Sequence, residues 1–130
     1  VRRDAKALAT IDFNQDGWAD VLVTRNNDRP LALLNGGRGG RRSFGVALRG
    51  AAGNPAAVGA RAMLTLADGS MQTSEVVAGS GYFAQSTATL FFGYPEGVAP
   101  EKLKIRWPDG RETVHTFEAA PAKTLRFSAP

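Results

Sequence analysis

The feature that most constrains the fold is a strict alternation of apolar and basic residues near the C-terminus. Leu103, Ile105 and Trp107 alternate with three Lys or Arg residues, as in an antiparallel strand with one face in a core and the other in water. A Pro-Asp-Gly turn at 108–110 follows, in which Pro presets φ and Gly accepts a positive φ. The pattern predicts a hairpin whose return strand covers residues 112–117.

Other short β-branched segments lie between glycines and prolines and predict further strands. Residues 60–66 and 71–77 flank an Asp-Gly turn at 68–69. The remaining predicted strands are 7–11, 19–24, 31–34, 87–92 and 124–127, the last of which could close the sheet. No segment has a sustained helical period. We therefore predict an all-β protein, a small antiparallel sandwich or barrel of about seven strands.

Composition excludes several classes of function. The chain of 130 residues has no cysteine and one histidine, which rules out disulfides, thiolate metal sites and multi-histidine zinc or iron sites. No apolar run reaches the ~20 residues of a membrane-spanning helix. There is no initiator Met and no signal segment. We therefore expect an excised piece of a longer protein, with its targeting signal upstream.

The net charge is +4 and the pI about 10.0, which raises the question of a nucleic-acid partner. The basic residues cluster only in the Gly/Arg-rich stretch around Arg38, Arg41 and Arg42. This stretch is typical of a solvated linker, because an RNA-binding segment would repeat and carry aromatics. Nucleic acid is thus an unlikely partner. Binding of an anionic polymer through these arginines remains an alternative, with an affinity that falls steeply with salt.

An acidic loop near the N-terminus has the spacing D-x-N-x-D-G-x-x-D. Calcium prefers 6–8 oxygen ligands at ~2.3–2.6 Å. Asp12, Asn14 and Asp16 hold loop positions one, three and five. At position seven Trp18 would offer its backbone carbonyl, and at position nine Asp20 would bind directly or through water. The spacing predicts a calcium site made of these five residues.

The same loop differs from an EF-hand. Val23 stands at position twelve, where an EF-hand has a bidentate Glu, and strands rather than helices flank the loop. Gly17 allows the sharp turn, and magnesium fits less well because it demands strict octahedral geometry. A solvated acidic turn is the weaker interpretation, since without an ion the like charges repel. We expect an affinity on the order of 10⁻⁴–10⁻³ M.

At these residues the sequence resembles the FG-GAP (VCBS) repeats of integrin-type β-propellers, through the segment ATIDFNQDGWADVLV at 9–23. The downstream part resembles the ASPIC/UnbV domain. Its matching pieces are GAR at 59–61, GSGYFAQS at 79–86, FG at 92–93 and IRWPDG at 105–110. The family's usual entry segment, Asn-His-Trp-Leu-like, is replaced here by Arg-Ser-Phe-Gly at 42–45.

These resemblances imply a domain plan. Residues 1–36 would be a partial propeller-type repeat with the calcium loop, 37–43 a Gly/Arg-rich linker, and 44–130 the ASPIC/UnbV-like β domain. They imply an extracellular or cell-envelope protein in which a calcium-bound propeller precedes a small β domain. One repeat cannot form a propeller, because each blade buries its faces against neighbours. The first unit therefore either packs on the second domain or stays mobile.

The sequence contains two other candidate functional sites. Ser80, Tyr82 and Gln85 lie in a glycine-rich loop and could line a ligand groove, although a structural turn explains the glycines equally well. His115 is a general base only if it has a Ser or Asp partner, and no motif supplies one.

The leading prediction is a non-catalytic calcium-binding and interaction module, the C-terminal fragment of an FG-GAP repeat protein. Its partners would be a protein or glycan and the upstream propeller repeats. The alternative is an accessory or catalytic domain of a biosynthetic enzyme of the enediyne-cluster type, which would need a polar pocket near residues 79–86 or His115.

Overall fold

The computed structural model describes residues 4–130, so the first three residues of the predicted N-terminal unit lie outside it. Within this range the protein is all-β and contains no helix, as predicted. The strands are β1 Ala5–Ile11, β2 Asp20–Arg25, β3 Asp28–Leu33, β4 Arg41–Arg49, β5 Arg61–Leu66, β6 Met71–Glu75, β7 Leu90–Pro95, β8 Pro100–Arg106, β9 Glu112–Thr116 and β10 Thr124–Ser128.

The strands form three sheets, with the orders β1-β2-β3, β10-β4-β7 and β6-β5-β8-β9. All pairs are antiparallel except β10 with β4, which is parallel. The second and third sheets share one core and form a sandwich, so the sandwich half of the prediction is confirmed and there is no closed barrel. None of the described residues forms a helix long and apolar enough to cross a membrane.

The core lies between β4 and β7 on one side and β5 and β8 on the other. The predicted alternation of β8 is confirmed, because Leu103, Ile105 and Trp107 are all buried. Phe44 lies at the centre of an aromatic cluster, 5.8 Å from the ring of Phe92 between centroids. The buried residues are Phe44, Val46, Leu48, Ala57, Ala60, Ala62, Leu64, Leu66, Val76, Leu90, Phe92, Tyr94, Leu103, Ile105 and Trp107.

Strand β4 is the main element that the sequence pattern did not predict. It begins at Arg41, so the last three residues of the predicted linker, 41–43, belong to the sheet. Its inward-facing residues are Phe44, Val46 and Leu48. A glycine, Gly45, stands among them and arginines precede them, so the sequence of this segment resembles that of a loop. The segment at 42–45 that departs from the family pattern is therefore strand.

The last strand, predicted at 124–127, is present at Thr124–Ser128. Strand β10 does not extend the sheet of the β8–β9 hairpin. It pairs in parallel with β4, with Leu125 opposite Val46. Parallel pairing needs a long connection and leaves no local turn signal, so the partner of this strand could not be identified from local patterns.

Several strand boundaries differ from the predicted ones, among them those of β7 and β3. Strand β7 begins at Leu90 rather than Thr87. Strand β3 begins at Asp28 and contains Pro30, which a sheet tolerates because β3 is an edge strand and Pro needs to donate no ladder hydrogen bond there.

The N-terminal sheet packs against the sandwich. The amide of Thr87 donates to the carbonyl of Thr10 at 2.9 Å, and the amide of Thr10 donates to Ser86 Oγ at 3.1 Å. Of the two arrangements left open by the sequence, the structure thus has β1 docked on the loop before β7. This contact fixes the acidic loop, which follows β1, at the junction of the two units.

Candidate functional site

The acidic loop between β1 and β2 is curled by its own hydrogen bonds. Asp12 Oδ1 accepts from the amide of Asp16 at 3.1 Å, and Asp12 Oδ2 accepts from the amide of Gly17 at 3.0 Å. Gln15 and Gly17 have positive φ angles of 56° and 89°, which reverse the chain within a few residues. Loop position one is therefore tied to positions five and six.

The middle of the loop is organised around Asp16. Its Oδ1 accepts from the amide of Trp18 at 2.9 Å, and its Oδ2 accepts from Asn14 Nδ2 at 2.8 Å. Asp16 is half-buried and Asn14 is exposed. Asn14 and Asp16, two of the predicted ligands, thus contact each other directly. The amide oxygen of Asn14 takes no part in this contact.

Asp20 is the most enclosed member of the set, with 0% of its surface exposed. Its Oδ2 accepts from the amide of Phe13 at 2.8 Å, and its Oδ1 accepts from the amide of Asn35 at 2.7 Å. The carboxylate therefore joins the start of the loop to the chain just after β3. The spacing of the acidic motif contains no signal for Asn35, because that residue lies fifteen positions downstream.

The donor chemistry of this loop suits calcium, while its present geometry is that of a hydrogen-bonded turn. Three carboxylates and an amide oxygen are hard ligands, and each carboxylate oxygen that accepts one N–H keeps a further acceptor site. In residues 4–130, however, no group of three or more His, Cys, Asp or Glu side chains is arranged to hold a metal ion. Binding therefore requires these side chains to move closer together.

The three carboxylates also lack a basic partner in the part of the chain that the structure describes. No ion pair there involves Asp12, Asp16 or Asp20. Backbone amides and the side-chain amide of Asn14 donate to these carboxylates, and none of these donors carries a charge. A cation that enters the loop thus displaces no ion pair of these carboxylates among residues 4–130.

Gly17 brings the loop into backbone contact with the sandwich. A Cβ at this position would lie 2.8 Å from the carbonyl oxygen of Lys123 and 3.2 Å from that of Ser43. Both are backbone atoms of the segments that enter β10 and β4, so they have little freedom to move. Glycine is required here for its positive φ and for this close approach.

We expect Gly17→Ala to loosen the N-terminal sheet by about 2–3 kcal/mol, because strain and a backbone clash act together. Hydrogen exchange of the Thr87 amide, which donates to Thr10, measures the loss. Gly69→Ala is the matched control, because Gly69 has a φ of 82° but nothing within 4 Å of its Cβ position. Equal loss of Thr87 protection in both variants would contradict the docking role of Gly17.

Two clefts lie beside the loop. The larger, of about 610 Å³, is lined by Asp12 and Gln15 on one side and by residues of β4, β10 and the 87–89 segment on the other. The second, of about 360 Å³, contains Trp18, Arg42 and Tyr94. Its Arg42 hydrogen bonds to Glu96, which raises the pKa of the guanidinium, and burial raises the pKa of Tyr94. The acidic loop therefore borders the most open recesses at the junction.

The glycine-rich loop places its predicted ligand residues differently. Gln85 braces the loop, since its Oε1 accepts from the amide of Gly79 at 2.5 Å and its Nε2 donates to two carbonyls. Ser80 Oγ accepts from the amide of Ser86 at 3.1 Å. Tyr82 projects outward and is 75% exposed. Two of the three side chains thus form hydrogen bonds within the loop, and Tyr82 points into solvent.

Sequence reasoning missed one exposed aromatic member of this loop. Phe83 is 88% exposed, has a φ of 48°, and meets the ring of Tyr82 edge-on at 4.5 Å between centroids. The adjacent glycines and the aromatic pair were the available signal. The tip of the loop thus exposes an aromatic pair to solvent.

His115 lies on β9 between aromatic rings. Its imidazole contacts Phe117 at 4.9 Å and Phe127 at 5.4 Å between centroids, both edge-on. Among the described residues it has no hydrogen bond and no ion pair with a Ser, Asp or Glu side chain. The structure therefore gives this histidine a packing environment.

The fold and the junction together define a small β-sandwich domain with a three-stranded sheet docked at one end. Residues 50–128, more than half of the chain, match the family described as ASPIC and UnbV. The chain belongs to this family. A comparison with curated proteins gave no match.

Proposed function

We propose that the chain is a non-catalytic, calcium-binding interaction module of a larger secreted or cell-envelope protein. The observation that carries the proposal is the acidic loop, pre-curled by its own amides at the joint between the two units. Asp12, Asn14, Asp16 and Asp20 would supply side-chain oxygens and Trp18 its carbonyl. Calcium would offset the repulsion between carboxylates that have no basic partner among residues 4–130.

The N-terminal sheet supports a place at the end of an FG-GAP repeat region. It has three strands, and Leu8, Leu33 and Leu34 remain 54%, 45% and 63% exposed. Exposed apolar side chains of this size are typical of a surface that meets another unit. An upstream propeller blade of the parent protein is the partner that the resemblance implies for this sheet.

An interaction role also fits the remaining surface. Tyr82 and Phe83 present an apolar pair on a loop that is braced internally. His115 is packed between two phenylalanine rings rather than beside an acid or a nucleophile. These observations favour a module that holds partners over one that carries out a reaction.

Calcium is expected to raise the melting temperature. With a dissociation constant of about 1 mM, 10 mM calcium adds about 1.4 kcal/mol, or a few degrees for a domain of this size. Scanning calorimetry with calcium and with chelator measures the shift. Asp16→Asn should reduce it strongly, whereas Asp109→Asn, in a distant turn, should leave it unchanged. The calcium proposal fails if titration calorimetry detects no binding and chelator leaves the transition in place.

A further inference from the structure

The larger cleft at the junction adjoins a second cavity. The first, of about 610 Å³, and the second, of about 300 Å³, share Ala47 and Arg126 among their lining residues. We call the combined channel the basic groove. It runs from the acidic loop past Lys123 and Arg126 to Arg49. Its combined size is in the range of sites that hold small molecules or short polymers.

The groove lies on the outer face of the β10-β4-β7 sheet. Arg126 stands opposite Ala47 in the parallel register, and Ser128 stands opposite Arg49. The intervening residues of β10, Leu125 and Phe127, pack toward the core, so Arg126 faces away from it. Because the side chain of Ala47 is small, the surface beside the long side chain of Arg126 is recessed.

The charge of the groove is one-sided. Arg49, Lys123 and Arg126 line it and are exposed, and none of them forms an ion pair within the described part of the chain. Asp12, at one end, is the one acidic residue among the described residues that line either cavity. Three unpaired cations along a channel favour an extended anionic ligand.

The other lining groups suit a polyhydroxylated molecule. Thr87, Thr89 and Thr124 supply hydroxyls, of which that of Thr87 donates to Thr89 Oγ1 at 3.3 Å, and Gln15 supplies an amide. We propose that the basic groove binds an acidic oligosaccharide, a short chain of uronate sugars. The carboxylates pair with Lys123, Arg126 and Arg49, and the threonines receive the sugar hydroxyls. This inference rests on the proposed interaction role and names its ligand class, while it requires no calcium.

Two other polyanions fit less well. The lining contains no aromatic ring apart from Phe127, whose side chain packs toward the core, so nucleic-acid bases would find no stacking platform. An acidic peptide that binds by strand addition needs a free sheet edge. The groove instead runs over the face of β4 and β10, where the two strands are already paired with each other.

The test is titration calorimetry of the chain with oligogalacturonate in chelator, at low and at high salt. We expect binding that Lys123→Gln/Arg126→Gln weakens about tenfold, since two charge-assisted contacts are lost. The matched control is Lys102→Gln/Arg106→Gln on β8, which removes the same charge from exposed side chains outside the groove. It should change the affinity less than twofold. Chemical shifts of the Ala47 and Thr124 amides locate the ligand.

Three results would overturn the proposal that the basic groove binds an acidic oligosaccharide. They are no binding to the unchanged chain, equal weakening in both double variants, or tighter binding of polyglutamate or an oligonucleotide than of the saccharide. Because the titration is run without calcium, it is separate from the calcium proposal. If the saccharide binds and calcium does not change the stability, only the calcium proposal is refuted. If calcium raises the stability and the saccharide does not bind, only the saccharide proposal is refuted.

Discussion

Replacement of Trp107 by alanine is expected to lower the free energy of unfolding by about 4 kcal/mol, the largest effect of any single change considered for this chain. Trp107 is 1% exposed, directly follows β8 and belongs to the core of the sandwich. Its Nε1 also donates to Thr113 Oγ1 at 2.8 Å. Alanine leaves a large cavity and an unsatisfied hydroxyl partner, and a small domain has little stability to spare.

Urea unfolding followed by circular dichroism measures this loss. Trp107→Phe is the matched control, because it keeps most of the apolar volume and removes the hydrogen bond to Thr113. It should cost about 1–2 kcal/mol. A Trp107→Ala protein that unfolds within about 1 kcal/mol of the unchanged chain would show that the core does not depend on this ring.

The β8–β9 hairpin around Trp107 was predictable because its information is local. Alternation within β8 and the Pro-Asp-Gly turn lie within ten residues of each other, and the structure has them as expected. The Asp-Gly turn between β5 and β6 is similar. In these segments the residues that form the strand also determine its partner.

Strands β4 and β10 show where local information ends. Their pairing joins residues such as Val46 and Leu125, about eighty positions apart. Gly45 interrupts the apolar pattern of β4 for a reason visible only in three dimensions, since a Cβ there would lie 2.9 Å from Thr89 Cγ2. The groove that forms on this sheet could not be predicted, because its cations come from both strands.

The acidic loop, too, could be predicted from the sequence only in part. Its residues and its turn follow from spacing, and Asp12 and Asp16 bond to amides within the loop. The role of Asp20 as a tie does not follow from spacing, because one of its two partners, the Asn35 amide, lies beyond β3. A motif indicates which oxygens are available, but the surrounding chain determines which of them are already in use.

Asp20→Ala is expected to destabilise the N-terminal sheet by about 3 kcal/mol even without calcium. The side chain is fully buried and accepts two backbone hydrogen bonds, from Phe13 and Asn35. Hydrogen bonds to an ionised acceptor contribute about 1.5–3 kcal/mol each, and their loss leaves two amides unpaired. The effect should be local, because these bonds join β1 to the end of β3 and not the two sheets of the sandwich.

Hydrogen exchange in chelator separates this structural role from metal binding. Amides of β2 should lose about a hundredfold of their protection, while those of β5 and β8 in the sandwich keep theirs. Asp20→Asn retains one acceptor oxygen and should lose about half as much free energy. Asp16→Ala loses its bonds from Asn14, which is exposed, and from Trp18, which is half-buried, and should lose less than 1 kcal/mol, about a third of the Asp20→Ala effect. If Asp16→Ala and Asp20→Ala lower the free energy of unfolding equally in chelator, the two carboxylates are equivalent in the loop. The two hydrogen bonds of the buried Asp20 side chain would then not be what stabilises the N-terminal sheet.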